Sequence, residues 1–174
     1  MKKATALLLF CVLSMYGLSQ NSSTKTILLD QLKNTHNVKN WFVPVNIALE
    51  GLTAEQAMWT DGSGNHSAGQ LAYHLLFWNM RQLNDFKGVK NDAFSGNNDE
   101  TFNKFNQKEL NEVVKKLDGV LTDLEKLIEN ASDKQLNDWA STIANISAHN
   151  AYHTGQIIFV RKLQGSWNPE KGVK

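Results

Sequence analysis

Four long stretches of the chain place apolar residues three and four positions apart, the spacing that lines one face of an α-helix. The first runs from about Thr24 to Leu52, with Ile27, Leu28, Leu32, Phe42, Val45 and Leu49 close to that rhythm. Pro44 sits inside it and predicts a kink or interruption, because proline lacks the N–H that the helix interior needs. Gly51 marks its end. A second helix is predicted from about Ser67, whose hydroxyl suits an N-cap, to Phe86, with Gly88 as the stop signal. A third spans about Asn106 to Asn130, where Leu110, Val113, Val114, Leu117, Leu121, Leu124 and Ile128 keep the rhythm and the opposite face is charged. The fourth runs from about Ser141 to Leu163, with Ile143, Ile146, His149, His153, Ile157 and Val160 on one stripe and Gly165 after it. Between the first two lies a polar, glycine-rich link, Thr60 to Asn65, which reads as a plain connector or a mobile loop beside a site. Strand signals are nearly absent and there is no internal repeat. The pattern predicts an all-α fold, a four-helix bundle.

The N-terminus breaks this pattern. Lys2 and Lys3 precede a nearly unbroken apolar run from Ala4 to Gly17, and Gly17-Leu18-Ser19 offers small residues where a signal peptidase reads. That is the form of a secretory leader, expected over residues 1–19, with the folded domain over 20–174. The run is about 14 residues long, short of the ~20 that span a bilayer, so no membrane span is expected after cleavage. Export to the periplasm or the extracellular space is the implied destination. The only cysteine, Cys11, would leave with the leader, so no disulfide and no catalytic thiol is expected in the mature domain.

Composition adds little. With 41% hydrophobic and 20% charged residues, 174 residues suffice for one domain with a sizeable core. The net charge of +1 and the absence of a Lys/Arg block exclude a nucleic-acid partner.

Five histidines change the picture: His36, His66, His74, His149 and His153. His149 and His153 are four apart, which puts both imidazoles on one helix face, one turn apart. Their stripe is apolar, so the pair points inward. His74 shares its stripe with Leu71, Leu75 and Trp78. A single inward histidine is more often a hydrogen-bonded core residue than a ligand. Three without partners would cost several kcal/mol in desolvation, which one metal ion relieves together. Three neutral imidazoles leave a coordination position open, as catalytic rather than structural zinc sites do. They suit one divalent transition metal, Zn, Ni, Cu, Fe or Mn, and nothing in the sequence chooses among these. The uncompensated charge of such an ion would attract an anionic small-molecule ligand or substrate. The segment is not the H-E-x-x-H of zinc proteases: Asn150 stands where the glutamate would follow the first histidine.

Ser67-Ala-Gly-Gln-Leu-Ala-Tyr-His74-Leu-Leu-Phe-Trp78 and His149-Asn-Ala-Tyr-His153-Thr-Gly-Gln156-Ile157, together with Leu49-Glu-Gly-Leu-Thr-Ala-Glu-Gln56, resemble the motifs of the DinB/YfiT-like family of bundle metalloproteins. The likeness spans essentially the whole mature chain. It implies an up-up-down-down bundle, often a homodimer, with His74, His149 and His153 as metal ligands. Members of known activity are similar to metal-dependent transferases and isomerases that use small thiols, and the leader here sets this chain apart from them. Tyr152 stands where the family often has histidine.

Other residues read as follows. Gln156, one turn past His153, either hydrogen-bonds a ligand imidazole or a metal-bound water, or packs at a helix seam. Trp78 is expected in the core. His36 is a conceivable fourth ligand, but its polar neighbours favour the surface, and His66 is expected to be exposed. Three readings compete: a metal-dependent hydrolase or transferase, a non-catalytic metal or small-ligand binder of the cell envelope, and a bundle whose histidines are purely structural.

Overall fold

In the computed structural model, residues 24–103 and 106–173 are described, and every regular element among them is helical. The expected leader lies outside the described residues. Helix α1 covers residues 24–36; α2 is Val45–Leu49, α3 Ala54–Met58, α4 Ala68–Lys87, α5 Gln107–Glu129 and α6 Asp133–Leu163. Short 3-10 turns occupy Asn98–Thr101 and Pro169–Lys171. No described helix is long and apolar enough to cross a membrane.

The first predicted helix is two. Residues 37–44 leave the helical path, and Pro44 becomes the N-cap of α2 with φ −73° and ψ 162°. Its carbonyl accepts the Ala48 N–H at 3.0 Å, so the proline starts a new helix instead of bending an old one. Gly51, at φ 70°, then turns the chain in the left-handed region that favours glycine. Helix α3, which the apolar rhythm does not show, is nucleated by a capping box: the Thr53 hydroxyl accepts from the Gln56 N–H, and the Gln56 side chain accepts from the Thr53 N–H. Ser67 with Gln70 and Asn106 with Glu109 start α4 and α5 in the same way. Helix α6 begins about two turns before the predicted Ser141. Ser132 and Gln135 form its capping box and Asp133 faces the positive end of the helix dipole, although no residue between Leu136 and Ile143 is buried.

Helix α4 lies against both α5 and α6. Leu71, Ala72 and Leu75 of α4 are buried with Leu110, Leu117, Leu121, Leu124 and Ile128 of α5 and with Ile143 and Ile157 of α6; Leu32 and Val45 close the core from α1 and α2. Each such leucine or isoleucine contributes about 1.5–3 kcal/mol. Phe86 meets Trp139 (ring centroids 4.6 Å) at one end of the α4–α6 seam, while His74 meets His149 further along, so the two helices run antiparallel. Between these points Asn79 and Asn150, both buried, exchange amides: Asn79 Nδ2 donates to Asn150 Oδ1 at 2.7 Å and Asn150 Nδ2 returns a bond at 3.2 Å. An amide pair in an apolar seam is satisfied in one register only, which fixes α6 on α4 beside His149. At the far end buried Arg161 donates to the Ala48 and Glu50 carbonyls at 2.6 and 3.1 Å, capping α2 from α6.

His36 is not at the surface. It is fully buried, with Nδ1 2.6 Å from Glu125 Oε1 and Nε2 3.0 Å from Asp118 Oδ1. Asp118 and Glu125 stand seven residues apart, two turns along one face of α5, and grip the ring from both sides. Burial alone would lower the pKa of His36, but the hydrogen bonds and charges of Glu125 and Asp118 overcome it and raise the value. With both nitrogens committed to carboxylates, His36 has none left for the other histidines.

Candidate metal centre

His74 projects from the middle of α4, and His149 and His153 from successive turns of α6. His74 is buried and the other two are half-buried. One ligating nitrogen from each falls within 4.8 Å of the others, the arrangement that can hold a metal ion. The His74 and His149 Nε2 atoms are 3.2 Å apart.

The far sides of two of these rings decide which nitrogen is free. Thr101 Oγ1 donates its single proton to the Asn98 carbonyl at 2.6 Å, so toward His74 Nδ1, also at 2.6 Å, it can only accept. His74 is therefore protonated on Nδ1 and bare on Nε2. At His153, Nδ1 donates to Gln156 Oε1 at 2.6 Å. Gln156 is itself oriented by its amide, which donates to the Tyr152 hydroxyl at 3.3 Å. Both rings turn an Nε2 lone pair toward the cluster. Two nitrogens at 2.0–2.1 Å from a tetrahedral zinc ion lie about 3.3 Å apart, so the 3.2 Å separation between His74 and His149 fits a shared cation.

Burial, and then the charges of His153, His149 and His66, push His74 down to about 3. Burial and His153 push His149 down to about 4. His153 is also lowered, chiefly by burial, with Gln156 opposing. All three imidazoles are neutral at pH 7, the form that binds metal.

The cluster opens into a cavity of about 690 Å³ between α4 and α6. His66, Phe102 and His74 form a stack, with centroids 3.6 and 4.4 Å apart and planes within 8°. His66 is thus half-buried against the site and not simply exposed. Trp78, expected in the core, is half-buried and lines the cavity. Neither Thr101 nor Phe102 was signalled by sequence: both lie beyond a long loop after α4, in and just after a single 3-10 turn. Tyr152 did carry a signal, standing four residues before Gln156 on one helix face.

A sequence profile of the DinB superfamily matches residues 45–157. The chain belongs to the DinB superfamily. The match runs from the start of α2 into the last third of α6 and takes in all three site histidines and Gln156. Comparisons with curated proteins and with solved structures give no match. In this DinB-superfamily chain the residues that hold the imidazoles in place come from the 3-10 turn, through Thr101, and from α6 itself, through Gln156.

Proposed function

We propose that this chain is an exported metalloprotein in which His74, His149 and His153 hold one divalent transition ion, leaving a coordination position open to a small molecule in the adjoining cavity. The observation that carries the reading is the pair of fixed tautomers: Thr101 and Gln156 each occupy an Nδ1–H, which leaves Nε2 of His74 and of His153 bare in a cluster where one nitrogen of each histidine lies within 4.8 Å of the others. When bound, such an ion supplies Lewis acidity and lowers the pKa of a water it holds. The chain's own contributions are distinct from that. The three imidazoles stay neutral, Thr101 and Gln156 keep them aimed, and Trp78, Phe102 and Ile146 wall the cavity with apolar surface.

The activity we assign is metal-dependent hydrolysis or group transfer on a small substrate. A non-catalytic binder of metal or small ligand in the cell envelope is the second reading. It is favoured by the cavity wall, which among the described residues offers no carboxylate or amine as a general base. The leader over residues 1–19, the mature domain over 20–174 and the destination outside the cytoplasm rest on the N-terminal sequence. The up-up-down-down bundle and a homodimer rest on the family resemblance.

Elemental analysis of protein purified without chelators or a histidine tag tests this reading. Close to one equivalent of transition metal in the wild type, lost in His149→Ala, supports it. Metal-free wild-type protein that gains no thermal stability from Zn, Ni, Mn or Fe would refute it.

A further inference from the structure

The cavity reaches well beyond the histidines. On α4, Trp78 and Gln82 follow His74 at one and two turns; on antiparallel α6, Asn145 and Thr142 precede His149 at one and two turns. All four line the same cavity as the cluster. Gln82 lies eight residues from His74 and Thr142 seven from His149, so the groove extends about 10–12 Å from the site at 1.5 Å per residue. Beyond it, Phe86 and Trp139 close the seam.

The polar groups along this groove differ from those elsewhere in the seam. Asn79 and Asn150 satisfy each other, and Thr101 and Gln156 are committed to the histidines. The side chains of Gln82, Asn145 and Thr142 make no hydrogen bond to any described residue; Gln82 and Thr142 are half-buried and Asn145 is exposed, and all three line the open groove beside Trp78. Together they offer amide donors, amide acceptors and a hydroxyl, but no charge. A charged tail finds no opposite charge on such a wall, whereas neutral amide or hydroxyl groups pair with both its donors and its acceptors.

We propose that this groove is a subsite for an uncharged, amide- or hydroxyl-bearing chain about 10 Å long, read by Gln82, Thr142 and Asn145, with Trp78 as its apolar floor. It rests on the metal-centre reading, because the anionic head of the same ligand fills the open coordination position. The ligand class is therefore a metal-binding anion carried on a neutral polar body.

Calorimetric titration of zinc-loaded protein tests this with three hydroxamic acids that share a head. Acetohydroxamic acid is the head alone, N-acetyl-diglycine hydroxamic acid adds two amides, and succinyl-glycine hydroxamic acid ends in a carboxylate. The diglycine probe should bind at least about tenfold tighter than acetohydroxamic acid, since each neutral hydrogen bond is worth roughly threefold to tenfold. Gln82→Leu and Asn145→Leu should each remove about threefold to tenfold of that gain and leave acetohydroxamic acid affinity unchanged, which also shows that the variants are folded. Equal affinity for head and diglycine probes, an equal or larger gain from the carboxylate tail, or leucine variants without effect would overturn the groove assignment while leaving the metal centre standing. Failure of acetohydroxamic acid itself to bind zinc-loaded protein would overturn the metal-centre reading, and the groove with it.

Discussion

Thr101→Val isolates the device that aims His74. Valine matches threonine in shape, so packing at this fully buried position is kept and only the hydroxyl is lost. Two bonds of 2.6 Å disappear, from His74 Nδ1 and to the Asn98 carbonyl. Asn98 is exposed and its carbonyl can turn to water. The His74 N–H is buried and cannot, so the metal-free protein should lose about 1–3 kcal/mol, the penalty for an orphaned buried donor. The second effect falls on the metal. Without an acceptor at Nδ1 the ring no longer prefers the tautomer with a bare Nε2, and binding must first select it. Loss of a group that orients a ligand histidine costs roughly 10–100-fold in affinity. Competition against a chromophoric zinc chelator measures that ratio, and urea unfolding of the metal-free protein measures the stability. A valine variant that binds zinc as tightly as wild type would refute the argument that Thr101 sets the His74 tautomer. An equal loss of stability with unchanged zinc affinity would reduce Thr101 to a packing role.

Three further outcomes follow from other parts of the molecule. Gln156→Leu should weaken zinc binding by about tenfold or more, and Tyr152→Phe by less, since the Tyr152 hydroxyl reaches His153 through Gln156 and phenylalanine keeps the direct ring contact at 4.9 Å; a tyrosine variant weaker than the glutamine variant would contradict that chain of contacts. Asn150→Leu leaves the buried Asn79 amide without its partner and should cost about 1–3 kcal/mol in urea unfolding, with a stable leucine variant as the contrary result. The pH dependence of stability should have two opposed sources. His36 has a raised folded pKa, so its contribution is complete below about 6.5 and is lost as pH rises through the folded value. His74, held down to about 3, stays neutral while the unfolded chain takes up a proton below about 6.5, so the metal-free protein should lose on the order of 2 kcal/mol from this group between pH 6.5 and 5. Glu125→Gln should therefore destabilise more at pH 6 than at pH 9, and an equal effect at both would show that His36 is not the titrating group.

The sequence made the site more legible than the parts that hold it. His149 and His153 are neighbours by helical spacing alone, and His74 shows itself on an apolar stripe of another helix, so local periodicity was enough. The supporting contacts are of another kind. Thr101 is 27 residues from His74, and only the path of the loop after α4 brings the two together. His36 looked like a surface residue because its neighbours in sequence are polar, but its partners Asp118 and Glu125 lie on a distant helix whose charged face seemed simply solvated. The break before α2 was half visible: Pro44 announced an interruption, while the chain between residues 37 and 44 gave no sign of how far the helix would withdraw. The early start of α6 was written in Ser132-Asp133-Lys134-Gln135, a capping box, and was overshadowed by the lack of buried residues in the two turns that follow.

The most direct test of the central claim is to count imidazoles around the metal by X-ray absorption fine structure at the zinc edge of the loaded protein. Three imidazole nitrogens at about 2.0–2.1 Å, with one lighter exchangeable scatterer, falling to two imidazoles in His153→Ala, is the predicted result. A shell with fewer than three imidazoles in the wild type, or one that His153→Ala leaves intact, would contradict it.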